Sequence, residues 1–339
     1  MNVLGIESSC DETSVAVIVN DKLTSNLISS QDFHTKYGGV VPELSSRAHL
    51  QIVKPLVEDA LEQSNIKLND IDLIAATAGP GLIGALLVGF TFAKGLAFSL
   101  NKPFIAVNHI EGHIFSGFLM DEKPVFPFLV LVVSGGHTLL LYVKSFTEII
   151  QLGTTVDDAA GEAFDKVAKM LGFDYPGGPQ IQLAAQKGNP AKIKFPVSKL
   201  SEEFNFSFSG LKTAVLRYIQ KNYGGLNEVP ESDKSDIAAS FQSAVLKALL
   251  QNTEKALNKY ETNSISLAGG VAANNELRNS MTTLATKYSK KIVIPELQFC
   301  GDNAAMIAFR GKTLFDAGRR DPFSVKPYPS LPKDCFQPS

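Results

Sequence analysis

The chain has 339 residues, enough for about two domains at roughly 100 to 200 residues each. Its 45% hydrophobic and 19% charged content, with 26 Gly and 17 Pro, excludes disordered, collagen-like and coiled-coil classes. With 32 basic against 34 acidic side chains, a net of −2, it is no polycationic nucleic-acid binder, so any nucleic acid must meet a local basic patch.

Three cysteines, Cys10, Cys300 and Cys335, lack CxxC spacing and argue against a disulfide scaffold or a Cys-only zinc site. A reducing compartment is the simplest reading. No basic and apolar leader opens the chain, and the longest apolar stretch, at 82–93, falls short of the roughly 20 residues a membrane span needs. The expectation is a cytoplasmic protein with no membrane association.

In chain order, a strand at 3–7 leads into a polar, acidic turn at 8–12, and strands follow at 13–19 and 23–28. A helical period spans 43–64, with Leu44, Ala48, Ile52, Leu56, Val57 and Leu61 on one face and Pro55 as an expected kink. A buried strand at 71–78 ends in Gly79-Pro80-Gly81, and a helix of small residues runs to about 99. A strand at 104–108 precedes a helix that begins near His109. The pattern then restarts: an apolar strand at 126–133, a turn at 134–137 and a returning strand at 138–143. Helices are expected at 162–171, 211–221 and 235–259. A strand at 265–268 ends in Gly269-Gly270, followed by a helix at 274–288, a strand at 292–294 and a helix at 302–317. The two halves thus share a plan, which predicts two related α/β domains with a cleft between them. The domain reading is 1–108 and 109–339, with helical insertions at about 145–260 and the last helix packing back toward the first domain.

Glycine turns bring backbone N–H groups close to phosphate oxygens, and hydroxyls add donors. Ser134-Gly135-Gly136-His137-Thr138 fits that need. Ser8-Ser9-Cys10-Asp11-Glu12 fits it less directly, because Asp11 and Glu12 repel bare phosphate; they suit a metal or a proton transfer. The run from Leu267 through Gly269-Gly270 to Asn274 ends a strand and opens a helix, a good place for a nucleotide, although GxGxxG is absent. Asp174 to Pro179 reads as a rigid turn or a mere loop.

His109 and His113 stand at i and i+4 and share a helix face, a spacing that suits a metal with Asp302 as a third candidate ligand, and equally suits two hydrogen-bonded histidines on a half-buried helix. Two His plus one carboxylate suits Fe(II) or Zn(II), and spacing does not choose between them. Glu111 lies two positions after His109, about 200° round the helix, so the general-base register of an HExxH metalloprotease is missing. The expectation is one metal between the two domains, with Asp302 brought to it by domain closure.

The strings GIESSCDET at 5–13, HxxxH at 109–113, VSGGHT at 133–138, DDAAGEAFDK at 157–166, YPGGP at 175–179, FSFSGLKT at 206–213, AGGV at 268–271 and CGDN at 300–303 cover nearly the whole chain in order. As a set they resemble the bacterial TsaD-type tRNA N6-adenosine threonylcarbamoyltransferases, once classed as glycoproteases. The resemblance implies a duplicated actin/Hsp70/hexokinase-like (ASKHA) α/β fold. It implies transfer of a threonylcarbamoyl group from threonylcarbamoyl-AMP to the N6 amine of the adenosine next to the tRNA anticodon. By motif match, His109, His113 and Asp302 would hold a metal, usually iron. Val132, Val133, Ser134, Gly135, Gly136, Asp165, Gly178 and Asn274 would bind the nucleotide substrate, and Asp11 and Glu12 would serve catalysis. Besides tRNA, the implied partners are an inactive paralogue of the same fold (TsaB-type) and a small P-loop ATPase (TsaE-type). Gln182, Asn275 and Ala304 depart from the family pattern, near the ribose site and at helix starts.

A tRNA substrate needs positive surface. Residues 185–224 carry 7 Lys/Arg against 2 Asp/Glu and 287–339 carry 9 against 5, whereas 1–110 carry 7 against 11. Solvated lysines on loops and helix faces would give the same counts. The competing classes are a metal-dependent glycoprotease, which the Glu111 register disfavours, and an ATP-binding actin/Hsp70-like assembly protein or sugar or acetate kinase. The histidine pair with Asp302 disfavours the latter group.

Overall fold

The computed structural model describes residues 1–31, 34, 37, 39–332 and 335–337. In chain order its elements are β1 (Asn2–Glu7), β2 (Glu12–Val19), β3 (Lys22–Ser30), α1 (Pro42–Gln63), β4 (Leu73–Gly79), α2 (Ile83–Ser99), β5 (Phe104–Asn108) and α3 (His109–Phe115). Next come β6 (Phe128–Val133), β7 (Thr138–Val143), β8 (Ile149–Thr154), α4 (Ala160–Met170), α5 (Gly177–Ala185), α6 (Ser209–Tyr223) and α7 (Glu231–Lys259). The chain closes with β9 (Ser264–Ala268), α8 (Asn275–Lys287), β10 (Lys291–Val293), α9 (Leu297–Cys300) and α10 (Ala304–Asp316).

Two compact units result. The first is built from residues 1–123 and 295–335, and the second from 124–294 together with Phe336. Helix α3 therefore falls in the first unit rather than opening the second. Each unit holds a five-stranded sheet, ordered β3-β2-β1-β4-β5 in the first and β8-β7-β6-β9-β10 in the second. The pairing directions match as well. The first strand runs antiparallel to the second and parallel to the fourth, in β1–β2 and β1–β4 as in β6–β7 and β6–β9. The repeat expected from the sequence is thus present strand for strand.

In the first unit the sheet is buried on both faces, which is why β1 and β4 read as continuous apolar runs. Leu4, Ile6, Val15, Val17, Ile74 and Ala76 pack beneath α1 and α2. Val3, Ile18, Leu73, Ala75, Ile105 and Val107 face α10 through Met306, Ile307, Ala308 and Leu314. Gly5 and Gly311 set that approach. A Cβ at Gly5 would lie 2.6 Å from the Ala304 carbonyl oxygen, and one at Gly311 2.3 Å from the Ala75 Cβ. Helix α10 therefore lies closer to the sheet than side chains at those places would allow.

Several elements differ from the sequence reading. Helix α1 buries Ser45, His49 and Val53 where Leu44, Ala48 and Ile52 were expected, while Leu56, Val57 and Leu61 are buried as expected. Strand β8 was not expected, because its burial alternates in only part of its six residues. Helix α5 begins at Gly177, inside the stretch read as a turn. Gly, Gly and Pro are tolerated there because the first N–H groups of a helix have no intrahelical partner. Helix α7 starts at Glu231, four residues before its apolar periodicity, with Glu231 and Asp233 in its first turn. Among the described residues, no helix is long and apolar enough to cross a membrane.

Candidate active site

Strand β5 delivers the chain to α3, and Asn108 caps that helix by accepting hydrogen bonds from the N–H groups of Ile110 (2.8 Å) and Glu111 (3.2 Å). The cap fixes the first turn, so His109 and His113 stack one turn apart with ring centroids 4.7 Å from one another. Asp302 arrives from the far end of the sequence, just before α10. Asn303 caps α10 by accepting from Met306 N–H at 3.1 Å, while Ser14 and Asn26 accept from the N–H groups of Ala304 (2.8 Å) and Ala305 (3.2 Å). Three side chains and the Gly5 contact thereby place Asp302.

Asp302 Oδ1 lies 3.1 Å from His113 Nε2 and 3.4 Å from His109 Nε2. The ligand atoms of the three residues all fall within 4.8 Å of one another, the one such group among the described residues. All three belong to the first unit, so the expectation of a site assembled by domain closure is corrected: α10, packed on β1, β2 and β4, carries Asp302 to α3.

Glu7 completes the arrangement, and the sequence reading missed it. It closes β1, is fully buried, and places Oε2 at 3.1 Å from His109 Nδ1. Ser9 N–H and the Thr77 hydroxyl donate to its two oxygens, both at 2.5 Å. Burial pushes the Glu7 carboxyl up, yet His109 and the Thr77 hydroxyl outweigh it and hold the group below the usual carboxylate value. Burial likewise opposes a charged His109, but Asp302 and Glu7 raise it to about 9. The available signal was a carboxylate ending an apolar strand, a place where a charge needs a partner.

Glu111 is turned the other way. Its Oε2 takes hydrogen bonds from Arg310 Nε (2.7 Å) and Nη2 (2.6 Å), and Arg310 lies against the Phe115 ring. It is committed to a buried ion pair and is no base for the histidine site, as its register predicts.

Asp11 and Glu12 flank the same group. Burial, followed by the charges of Asp302 and Asp11, raises the Glu12 carboxyl to about 9. The Cys10 thiol is pushed far up by burial and then by Asp11 and Asp302, so it is no thiolate nucleophile near neutral pH.

The residues expected to bind nucleotide all fall in the second unit, Val132 to Gly136 at the carboxyl end of β6, Asn274 shortly after that of β9, Asp165 in α4 and Gly178 in α5. Val132 and Val133 end β6, and Val132 pairs with Ala268. Ser134 N–H donates to the His137 carbonyl at 2.8 Å to close the turn, and Ser134 Oγ accepts from His137 N–H at 3.1 Å. Gly135 and Gly136 are exposed, with open space where a Cβ would stand. Gly269 has φ +88°, and a Cβ there would meet the Val133 carbonyl oxygen at 2.4 Å, so only glycine lets the two strand ends close up. Asp165 accepts from Gly177 N–H at 2.8 Å and so caps α5, with Gly178 open beside it.

Asn274 caps α8, accepting from Leu277 N–H at 3.0 Å and donating to Gln242 Oε1 at 2.8 Å. Two of the departing positions meet here, since Gln182 Oε1 accepts from Asn275 N–H at 2.7 Å. The neighbouring motif strings are structural. Asp157 accepts from the N–H groups of Phe208 (2.8 Å) and Ser209 (3.2 Å) at the start of α6, and Asp158 pairs with Lys166 (2.9 Å) and Lys212 (2.7 Å).

The fold is shared with solved structures of low sequence identity. T. kodakarensis HypF matches at a TM-score of 0.63 and 15% identity, over 94% of this chain and 48% of that one. The Acidaminococcus fermentans (R)-2-hydroxyglutaryl-CoA dehydratase component A matches at 0.54 and 16% identity, over 94% of this chain and all of that one. These likenesses speak for the duplicated actin/Hsp70-like fold alone. Sequence carries the rest. The tRNA N6-adenosine threonylcarbamoyltransferase family model (TsaD) matches residues 22–309. The enzyme of that name from Thermosipho africanus is 52% identical over 98% of this chain and 99% of its own length. The one from Carboxydothermus hydrogenoformans is 51% identical over 97% of each. With a family match across most of its length and relatives at half identity end to end, the chain belongs to the tRNA N6-adenosine threonylcarbamoyltransferases, a family of transferases.

Proposed function

We propose that the chain moves the threonylcarbamoyl group from threonylcarbamoyl-AMP to the N6 amine of adenosine 37, 3′ to the anticodon, in tRNAs that read codons beginning with A. The observation that carries this reading is the convergence of His109, His113 and Asp302 beside an acidic turn, on a chain of this family. The donor set fits a divalent ion: two imidazoles and a carboxylate converge, and Glu7 holds the far nitrogen of His109, as carboxylates do behind ligating histidines. Fe(II), or Zn(II) in its place, would supply Lewis-acid polarisation of an anionic donor oxygen.

The chain's own residues supply the remainder. The adenine amine is a weak nucleophile, because its lone pair is delocalised into the ring. As N6 bonds to the carbamoyl carbon and the bond to the phosphate oxygen breaks, AMP leaves and one N6 proton passes to a carboxylate, Asp11 ahead of Glu12. Val132, Val133, Ser134, Gly135, Gly136, Asp165, Gly178 and Asn274 would hold the nucleotide part of the donor. The open glycine turn and the capped starts of α5 and α8 support this.

The tRNA would follow the lysines of 185–224. Lys192 there is well exposed, 3.9 Å from Asp236. A paralogue of the same fold and a small P-loop ATPase are proposed as protein partners. An exposed apolar groove between α1 and α2, lined by Leu50, Leu87, Val88 and Leu96, suits a protein surface. Reconstitution with partners, threonylcarbamoyl-AMP and unmodified tRNA tests the reading. Mass spectrometry of the digested nucleosides should reveal threonylcarbamoyladenosine, and its absence from a metal-loaded, folded preparation would overturn the assignment.

A further inference from the structure

The turn bearing Asp11 and Glu12 is crowded with like charge, for Glu7 and Asp302 stand near as well, and the crowding and burial show in the raised Glu12 carboxyl. Two side chains of α1 hold the turn. Ser45 and His49 lie one turn apart on the buried side of that helix, interrupting an otherwise apolar face. Ser45 Oγ donates to the Cys10 carbonyl at 2.6 Å. His49 Nε2 lies 3.0 Å from the same oxygen and 3.0 Å from Ser45 Oγ. A carbonyl oxygen only accepts, so Nε2 carries the proton, and Nδ1 accepts from the Thr13 hydroxyl at 2.7 Å. One imidazole therefore grips the residue before Asp11 and the residue after Glu12.

More polar groups stand behind it. Gln31 donates to the Ser45 carbonyl at 3.4 Å and accepts from His34 Nε2 at 2.9 Å, and His34 Nδ1 accepts from Val41 N–H at 3.2 Å. Thr13, Gln31, His34, Ser45 and His49 are all buried. Burying five polar side chains is costly unless their hydrogen bonds are met, and met together they fix one geometry. A leucine at position 49 would extend the apolar face of α1 with no such cost, so the network answers a need other than packing.

We propose that His49, assisted by Ser45, is a positioning residue of the transfer reaction, holding the Cys10 carbonyl and the Thr13 hydroxyl so that Asp11 keeps its place against Glu12 and Asp302. The proposal rests on Asp11 as the proton acceptor.

A double-mutant cycle tests it on the full chain with its partner proteins. Single-turnover transfer from threonylcarbamoyl-AMP to unmodified tRNA is the readout, with thermal melting alongside. His49→Asn should lower the rate at saturation about 10- to 100-fold while half-saturating tRNA and donor concentrations stay within about twofold, the mark of lost positioning rather than lost binding. His49→Gln, whose amide nitrogen reaches the place of Nε2, should recover most of that rate. In an Asp11→Asn background, His49→Asn should cost almost nothing further. An equal cost in both backgrounds would mean that His49 acts elsewhere, overturning the proposal while leaving Asp11 as assigned. A wild-type rate for Asp11→Asn alone would remove the Asp11 assignment, and this proposal with it. Should His49→Asn not fold, Ser45→Ala carries the same cycle with a smaller change of volume.

Discussion

The turn between β1 and β2 and the turn between β6 and β7 occupy the same place in two sheets of matching strand plan, and their chemistry is opposite. In the first, Ser8 and Ser9 are buried, Cys10 is gripped by Ser45 and His49, and two carboxylates follow. In the second, Gly135 and Gly136 stand in the open with no side chain at all. One turn holds two carboxylates in a set position, and the other leaves its backbone open, as the proposed nucleotide contact requires. The duplicated frame fixes where a turn is presented, and a handful of residues decides what it does there.

Asp11→Ala strikes at that contrast hardest. It should fold, bind nucleotide and lose transfer about 10²- to 10⁴-fold in single-turnover assays, the usual worth of a positioned acid or base. Near-normal transfer would make the acidic turn a passive one. Next in size is Asp302→Ala, which should lower metal content and transfer together, read by metal-to-protein ratio and nucleoside analysis on the same preparation. Glu111→Ala is its counterpart. It should keep the metal but cost about 3 kcal/mol of stability by stranding the buried Arg310 charge, seen as a lowered Tm. Metal loss in that variant would mean the ligand set is misassigned.

Gly269→Ala tests the other turn. Alanine at φ +88° pressed on the Val133 carbonyl should cost about 1 to 3 kcal/mol in denaturant unfolding, whereas Gly136→Ala, with open space, should leave stability unchanged and weaken donor binding. The smallest effect is expected from charge reversal at Lys192 and Lys194. Each lost phosphate contact should lower the slope of log tRNA affinity against log salt by about 1, with donor binding unchanged. An unchanged slope would put the RNA elsewhere.

Much of this was legible in the sequence, for physical reasons. Both hairpins, α3 and α10 announce themselves through apolar runs of clear period, and the i, i+4 spacing of His109 and His113 survives into the structure unaltered. What escaped was whatever depends on contacts remote in the chain. Glu7 gives no periodic signal, and its role appears only when α3 brings His109 to 3.1 Å. Ser45 and His49 were hidden because the face of α1 was traced through the apolar Leu44, Ala48 and Ile52, one position short of the buried Ser45, His49 and Val53. The expectation of domain closure at Asp302 failed because spacing says nothing of where a late helix packs. Gly5 and Gly311, unremarkable in the sequence, are what admit α10 to the first sheet. Helix α5 was lost to a rule applied at the wrong end, since Gly and Pro break helices in their interiors and begin them readily.

Because α10 belongs to the first unit, synthesis imposes an order on that unit. A sequence distance of 189 residues separates His113 from Asp302, on the order of 10 to 40 s at ribosomal elongation rates of roughly 5 to 20 residues per second. Throughout that interval the nascent chain carries both histidines and the acidic turn without their third partner. The sheet face formed by Val3, Ile18, Leu73, Ala75, Ile105 and Val107 meanwhile has no helix to cover it. An exposed apolar face of that kind is prone to aggregation, and a chain that terminates early is left with His109 and His113 but no Asp302 beside them.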